Sequence, residues 1–191
     1  KAVISIDTTS SVVAEKAIES GAAVVNDISA GTIDKQMLET VASLGVPYIA
    51  MHMQGTPKTM QNNPTYQNVV SDVFIALERF CNRATQLGIR QLILDPGFGF
   101  GKSLSHNYQL LNQFEKFHSL GCPLLVGVSR KSMIQQIVDV DAENALNGTT
   151  VIHTIAVQKG ASILRVHDVK EAVQVFQLVN YLNQQESTPT T

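Results

Sequence analysis

The feature that most constrains this chain is a glycine that keeps returning at the close of a helical pattern. Gly21, Gly45, Gly88, Gly121 and Gly160 each end such a pattern and stand a few residues before a β-rich apolar run. Glycine tolerates the left-handed conformation that commonly closes a helix, so each marks a stop. The runs that follow are 22–25, 46–51, 91–94, 123–128 and 161–166, and an opening run at 2–6 makes six expected strands. They are nearly continuous apolar stretches rather than period-two alternations, the pattern of strands buried on both faces.

Helical periodicity fills the intervals. The clearest stripe is Val69, Val73, Leu77, Phe80, Ala84 and Leu87, spaced 4, 4, 3, 4 and 3. Met37, Leu38, Val41 and Leu44 mark a shorter helix, and Leu110, Leu111, Phe114 and Phe117 another. A last helix opens on Asp168 as N-cap with Glu171 three residues on, a capping-box arrangement, followed by Val173, Phe176 and Val179. The segment 144–159 also reads helical, with an extra short helix expected near 133–138. Residues 1–184 therefore read as one domain, and 185–191 as a polar tail expected to fray.

Alternation of strand and helix implies a parallel sheet with right-handed crossovers. Six units in 191 residues come to about 32 each, and eight such units to about 255, against ~250 for a (β/α)8 barrel. The expected fold is thus α/β, a (β/α)8 barrel incomplete by two units. Lys1 stands directly ahead of the first strand, which suggests that the missing part is N-terminal.

Composition narrows the function classes. Charged residues are only 16% of the chain, against about 25% in an average domain, which suits buried parallel strands. Fourteen basic and sixteen acidic residues give a net charge of −2 with no basic block, so neither nucleic acid nor a membrane surface is the expected partner. No apolar run approaches the ~18 residues of a membrane span, and no signal peptide opens the sequence. Two cysteines, Cys81 and Cys122, make a poor disulfide framework and suit a reducing cytoplasm.

The chemistry lies where the runs end. Asp7 follows the first, Asn26 and Asp27 the second, His52 the third and Asp95 the fourth. Ser129-Arg130-Lys131 follows the fifth, and Arg165 and His167 end the sixth. The carboxyl ends of parallel strands are where such folds bind ligands. Singly, each could be a helix cap or a satisfied polar group. For Asp7, just before Thr8 and Ser10, capping and ligand binding are equally open; six on one rim are harder to explain that way.

Asp95-Pro96-Gly97-Phe98-Gly99-Phe100-Gly101-Lys102 is the most informative stretch. A Walker A loop would need glycine at Pro96, and a dinucleotide fingerprint would need glycine at Lys102, so both fail. The alternating glycines allow close approach of backbone to a ligand. His52, His106, His118, His153 and His167 include no i, i+4 pair, and no cysteine stands at ligand spacing, so metal chemistry from these side chains alone is not expected. His106 and His118 read as solvated helix residues, His153 as lying on a helix face and Cys81 as core.

In these residues the sequence resembles the dihydropteroate synthases, of the pterin-binding TIM-barrel superfamily, over essentially its whole length. The matching motifs are Ser5-Ile6-Asp7-Thr8, Val25-Asn26-Asp27, Met51-His52-Met53-Gln54-Gly55 with Pro57-Lys58-Thr59-Met60-Gln61, and the glycine stretch 95–102. Ser129-Arg130-Lys131-Ser132 and Arg165-Val166-His167-Asp168 complete the set. The resemblance implies strands three to eight of the barrel and a condensation of 6-hydroxymethyl-7,8-dihydropterin diphosphate with 4-aminobenzoate, giving 7,8-dihydropteroate and diphosphate in folate synthesis. It implies that Asp7, Asn26, Met51, Asp95, Gly127 and Lys131 hold the pterin. Arg165 and His167 would grip the diphosphate, and Phe100, Lys131 and Ser132 would line the aminobenzoate pocket, where sulfonamides compete. Lys131, Arg165 and His167 would serve catalysis.

The same resemblance implies a homodimer through outer helices and Mg²⁺ accompanying the diphosphate, with no metal ligand in this chain because the organising asparagine belongs to the first two strand–helix units. Those units would also carry two loops over the aminobenzoate, leaving the catalytic centre here incomplete. Open edges would favour association of the isolated piece. Two other readings remain at this point: a methyltetrahydrofolate:corrinoid methyltransferase-like barrel, and a non-catalytic pterin-binding fragment. The first has no use for Ser129-Arg130-Lys131-Ser132 or Arg165-Val166-His167.

Overall fold

The computed structural model describes residues 2–57, 59–60 and 64–186. Six parallel strand segments alternate with helices: β1 (Ser5–Asp7), α1 (Ser11–Glu19), β2 (Val24–Asp27), α2 (Met37–Leu44), β3 (Tyr48–Met51), α3 (Val69–Gln86) and β4 (Leu92–Asp95). They continue with α4 (Leu104–Asn112), a 3-10 helix (Phe114–Leu120), β5 (Leu125–Val126), α5 (Ser132–Val138), α6 (Leu146–Gln158), β6 (Ile163–Leu164) and α7 (Val169–Glu186). The five punctuating glycines all take positive φ, between 64° and 107°, as a helix stop requires.

β1 to β4 form one parallel sheet in chain order, β5 and β6 form a parallel pair, and a bridge between Leu94 and Leu124 joins the two. Across six flat strands the outermost would stand about 24 Å apart at ~4.8 Å per step, beyond the reach of one side chain. Yet Arg165, just past β6, contacts Asp7 at the end of β1 at 2.7 Å, so the array curls round on itself. This is an α/β architecture consistent with part of a TIM barrel.

The strands are shorter than the apolar runs. Val3 and Ile4 lie ahead of β1 and are 75% and 58% exposed, and β1 is not buried on both faces as expected of it. Its only strand neighbour among the described residues is β2, whereas β3 pairs on both sides and is buried throughout. The α3 stripe is buried as its spacing predicts, from Val69 to Ala84, under an Asn68 cap whose side chain accepts from the Ser71 amide.

Two helical expectations need correction. The stripe Leu110, Leu111, Phe114, Phe117 is buried, but α4 ends at Asn112 and the two phenylalanines sit on the 3-10 segment. In a 3-10 turn, residues three apart share an edge, so both rings still reach the core. Asp168 does stand at the N-cap position of α7, its carbonyl accepting from the Ala172 amide, but its carboxylate pairs with Arg130 in place of the expected capping box. The final helix extends to Glu186, past the 184 expected as the domain limit; the rest of the tail, with Lys1, Lys58 and Gln61, lies outside the described residues. Among the described residues no helix is long and apolar enough to cross a membrane.

Strand parity separates Asn26 from its neighbour. Asp27 turns to the helix side, fully buried, where it accepts from the Ser29 amide and hydroxyl, the Gly31 amide and the Tyr48 hydroxyl. It is the knot of the β2–α2 loop rather than a ligand group. Removing the Tyr48 donor with Tyr48→Phe should cost about 1.5–3 kcal/mol, the scale of a hydrogen bond to a buried charge. Urea unfolding at neutral pH measures it; a loss below a few tenths would show that Asp27 does not depend on Tyr48.

Candidate active site

Register decides which groups meet. Asp7 pairs with Asn26, Asn26 with Ile49, and Ile49 with Ile93. Met51 pairs with Asp95 two residues further on. Partners in register point to the same face, and residues two apart share it, so Asp7, Asn26, Met51 and Asp95 all face the inside of the curl. Gly127 comes in beside them: a Cβ there would stand 3.7 Å from the Arg165 side chain and 4.0 Å from Asp95 Oδ2. Its missing side chain leaves the gap between that carboxylate and that guanidinium open.

Asp95 is the electrostatic centre. It is buried, and the Gly97 amide donates to its Oδ1 at 2.7 Å. Burial pushes its carboxyl up; the Gly97 amide, Lys131, Lys102 and Arg165 oppose that and favour the charged form. Lys131 donates to the Phe98 carbonyl at 2.6 Å and sits 4.7 Å over the Phe100 ring. Burial lowers its pKa while Asp95 draws it back up. Glycine is needed at 97 twice over: φ is 75°, and a Cβ would collide with the His52 carbonyl.

Past β6, Arg165 pairs with Asp7. His167 brings Nδ1 to 2.9 Å from the Ser129 hydroxyl, which also accepts from the His167 amide at 3.2 Å. Gly127, Ser129, Lys131, Arg165, Val166 and His167 line a cleft of about 230 Å³. A larger cavity of about 640 Å³ opens at the opposite strand ends around Pro47, Gln91 and Pro123, but Arg90 is the one charged residue lining it. The chemistry therefore belongs to the smaller cleft. Ser132 is exposed at the start of α5, directly after Lys131, and Phe100 faces the same lysine.

Two residues at the run ends, Arg130 and His52, serve as struts. Arg130 adopts φ 55°, and its amide donates to the Thr149 hydroxyl. Its guanidinium forks onto Asp168 at 2.9 Å twice and also donates to the carbonyls of Ala142 and Glu143. It pins the β5 exit, with Lys131 on it, to the β6 exit. His52 lends Nδ1 to Lys102 at 3.0 Å, and Lys102 is the group that the sequence motif contained without a role. Its lone position at the end of the glycine run, where a nucleotide fingerprint fails, was the available signal.

The remaining histidines are structural too. His106 closes a capping box with Ser103, and His118, exposed, reaches the Lys159 carbonyl at 2.9 Å; neither is merely solvated. His153 is buried on α6.

Comparison with known proteins identifies the family. Residues 1–167 match the family described as pterin binding enzyme. This chain belongs to that family. It is 46% identical over 178 residues to the dihydropteroate synthase of Escherichia coli K12, covering 92% of this chain and 63% of the relative. The Haemophilus influenzae dihydropteroate synthase is 48% identical over 168 residues, covering 87% and 61%. Among solved structures, the Yersinia pestis dihydropteroate synthase with a sulfonamide drug superposes with a TM-score of 0.93 at 40% identity, covering 97% of this chain and 68% of that one. The Thermus thermophilus enzyme with 4-aminobenzoate gives 0.90 at 39%, covering 95% and 74%. The chain thus spans a little under two thirds of the length of the curated relatives it matches.

His52 should make the fold acid-sensitive. Burial and the adjacent Lys102 hold its pKa down at about 3, against an ordinary 6.5. The unfolded chain therefore takes up the proton first, and stability falls as pH drops from 6.5 towards 3. Denaturant unfolding at pH 7.5 and 5.0 should show a larger loss in the unsubstituted protein than in His52→Gln. The comparison between the two cancels Asp95, which acts in the opposite sense. Equal losses would mean that His52 protonates freely in the fold.

Proposed function

We propose that this chain is the pterin- and aminobenzoate-binding part of a dihydropteroate synthase, its strands corresponding to strands three to eight of a (β/α)8 barrel. The observation that carries the reading is Asp95: a buried carboxylate among three cations, on the face that also bears Asp7, Asn26 and Met51. A pterin edge presents adjacent ring N–H and exocyclic amino donors, which one carboxylate accepts as a pair. Asn26 offers a donor and an acceptor to ring nitrogens, Asp7 a further acceptor, and Lys131 a donor to the carbonyl edge. Met51 and Gly127 would lie beside the pterin in this reading.

The reaction in this reading is dissociative. The C–O bond breaks with both electrons going to the departing diphosphate, leaving a methylene cation delocalised into the pterin. The arylamine attacks that carbon and then loses its proton. Such a step needs charge stabilisation at the leaving group rather than a protein nucleophile. Arg165, His167 and Lys131 supply it around the cleft, the guanidinium fitting phosphate oxygens best. Phe100, Lys131 and Ser132 hold the 4-aminobenzoate, and sulfonamides compete there.

Mg²⁺ enters this scheme only with the diphosphate, as substrate. Among the described residues no three His, Cys, Asp or Glu side chains are grouped to hold a metal ion, and Asp7 is already paired with Arg165, so no step is routed through one. Leu178, Tyr181 and Leu182 stand exposed on α7, and a second copy of the chain is the partner we read for that face. The compartment we read is the cytoplasm.

Titration calorimetry with a pterin and with 6-hydroxymethyl-7,8-dihydropterin diphosphate tests the assignment. Asp95→Asn should weaken both by about a hundredfold, the loss of two charge-assisted hydrogen bonds. Arg165→Met should weaken the diphosphate ester more than the free pterin, which feels Arg165 through its charge at Asp95. Equal affinity of the unsubstituted chain for unrelated heterocycles, or an Asp95→Asn variant that binds normally, would overturn the assignment.

A further inference from the structure

Lys102 is 4% exposed, and its amino group has four partners. It lies 2.8 Å from the Gly97 carbonyl, 3.0 Å from the Phe100 carbonyl, 3.3 Å from the His52 carbonyl and 3.0 Å from His52 Nδ1. Two of those carbonyls belong to the glycine loop that follows Asp95, and the other two groups to the exit of β3. Lys131 grips the same loop through the Phe98 carbonyl. Asn107 completes the frame, accepting from the Gly99 amide and donating to the Ser103 carbonyl. The loop between 96 and 101 is thus held at Gly97, Phe98, Gly99 and Phe100, with two lysines as the cationic ties.

We propose that Lys102 is a positioning residue of the pterin site: it clamps the glycine loop to the β3 exit, fixing the Gly97 amide that orients the Asp95 carboxylate, and its ammonium, held on the Gly97 carbonyl, acts on that carboxylate as a nearby cation. The inference rests on the pterin reading of Asp95 but makes a claim of its own about the unliganded protein. Lys102 touches no substrate in this scheme; it acts through Asp95 and through the loop that carries Phe98 and Phe100. Its own surroundings are consistent with the role. Burial brings Lys102 down to about 7 while Asp95 pulls it up, so below neutrality, where a carboxylate titrates, the ammonium is charged. The other charged or titratable groups acting on Asp95 or Lys102 are Lys131, Arg165 and, just past β3, His52, held neutral by burial. A neutral imidazole that accepts from Lys102 at Nδ1 carries its proton on Nε2.

A structural tie alone and a charged positioning residue differ in what they move. Losing a tie lowers stability; losing the charge also raises the Asp95 pKa. The experiment uses the full chain with Lys102→Met, which removes donors and charge, and Lys102→Gln, which restores donors without charge. Carbon-13 NMR of the Asp95 carboxyl, with no ligand present, should show its titration about one pH unit higher in both variants. Pterin affinity should fall about tenfold in Lys102→Met and recover partly in Lys102→Gln, with the acid limb of binding shifted upward in both.

An unchanged Asp95 titration in folded Lys102→Gln overturns the proposal, whatever happens to stability. A shifted titration in a protein whose unsubstituted form binds no pterin sinks the functional reading and leaves the Lys102 assignment standing. If Lys102→Met unfolds, Lys102→Gln and Lys102→Arg carry the test, the arginine being expected to keep the Asp95 titration at its native position. An arginine variant shifted as far as the glutamine one would also count against the charge.

Discussion

A carboxylate buried among cations is the constraint to which most of this architecture answers. Desolvating an ion costs several kcal/mol unless its surroundings replace the lost water. At Asp95 that replacement is one amide, from Gly97, and three cations from separate points in the chain. Lys102 ends the glycine loop, Lys131 follows β5 and Arg165 follows β6. Lys131 and Arg165 could not be brought there by local structure alone. Parallel pairing in a single register does it, because a slip by one residue in β4 would turn Asp95 towards the helices and Leu94 into the cleft.

The cations are costly in the same way, so the cluster is mutually dependent. Burial lowers Lys131 and Lys102, and each is drawn back up by Asp95. The surrounding carbonyls do the rest. Phe98 serves Lys131, while Gly97, Phe100 and His52 serve Lys102, which is why the loop needs glycines: their left-handed turns aim successive carbonyls at two amines on different sides. A side chain at 97 would strike the His52 carbonyl, and one at 101 would come within 2.6 Å of the Gln54 carbonyl.

Much of this was legible in the sequence, for a physical reason. Helix stops, apolar runs and the polar residues after them are local patterns, and in a parallel α/β chain the run ends fall on one rim by construction. Local patterns give no parity, however. Asn26 and Asp27 are adjacent letters, yet one faces the cleft and the other is tied to Tyr48 and Ser29 behind the sheet. Nor do they give side-chain destination: Asp168 has the spelling of an N-cap and the geometry of an Arg130 partner. Val3 and Ile4 have the composition of a strand but stand exposed ahead of β1, although the Ile4 carbonyl accepts from the Ala23 amide beside it. Lys102 was visible only as the residue at which a nucleotide motif failed.

The two arginine pairs at the rim show how one arrangement can be rigid and available at once. Arg130 is spent: its fork meets both oxygens of Asp168, its remaining nitrogen meets two carbonyls, and both side chains of the pair are about one fifth exposed. An incoming anion would have to displace four acceptors to reach it. Among the described residues Arg165 makes one side-chain hydrogen bond, to Asp7, with both side chains roughly half exposed. Exposed ion pairs of that kind are worth about 0–1 kcal/mol, so a multiply charged anion competes for the guanidinium at little expense. Arg165 also stands next to the gap left by Gly127, above Asp95. Asp7 therefore holds Arg165 across the curl without binding it tightly, which keeps the guanidinium pointed at the place where an anion attached to the Asp95 ligand would arrive.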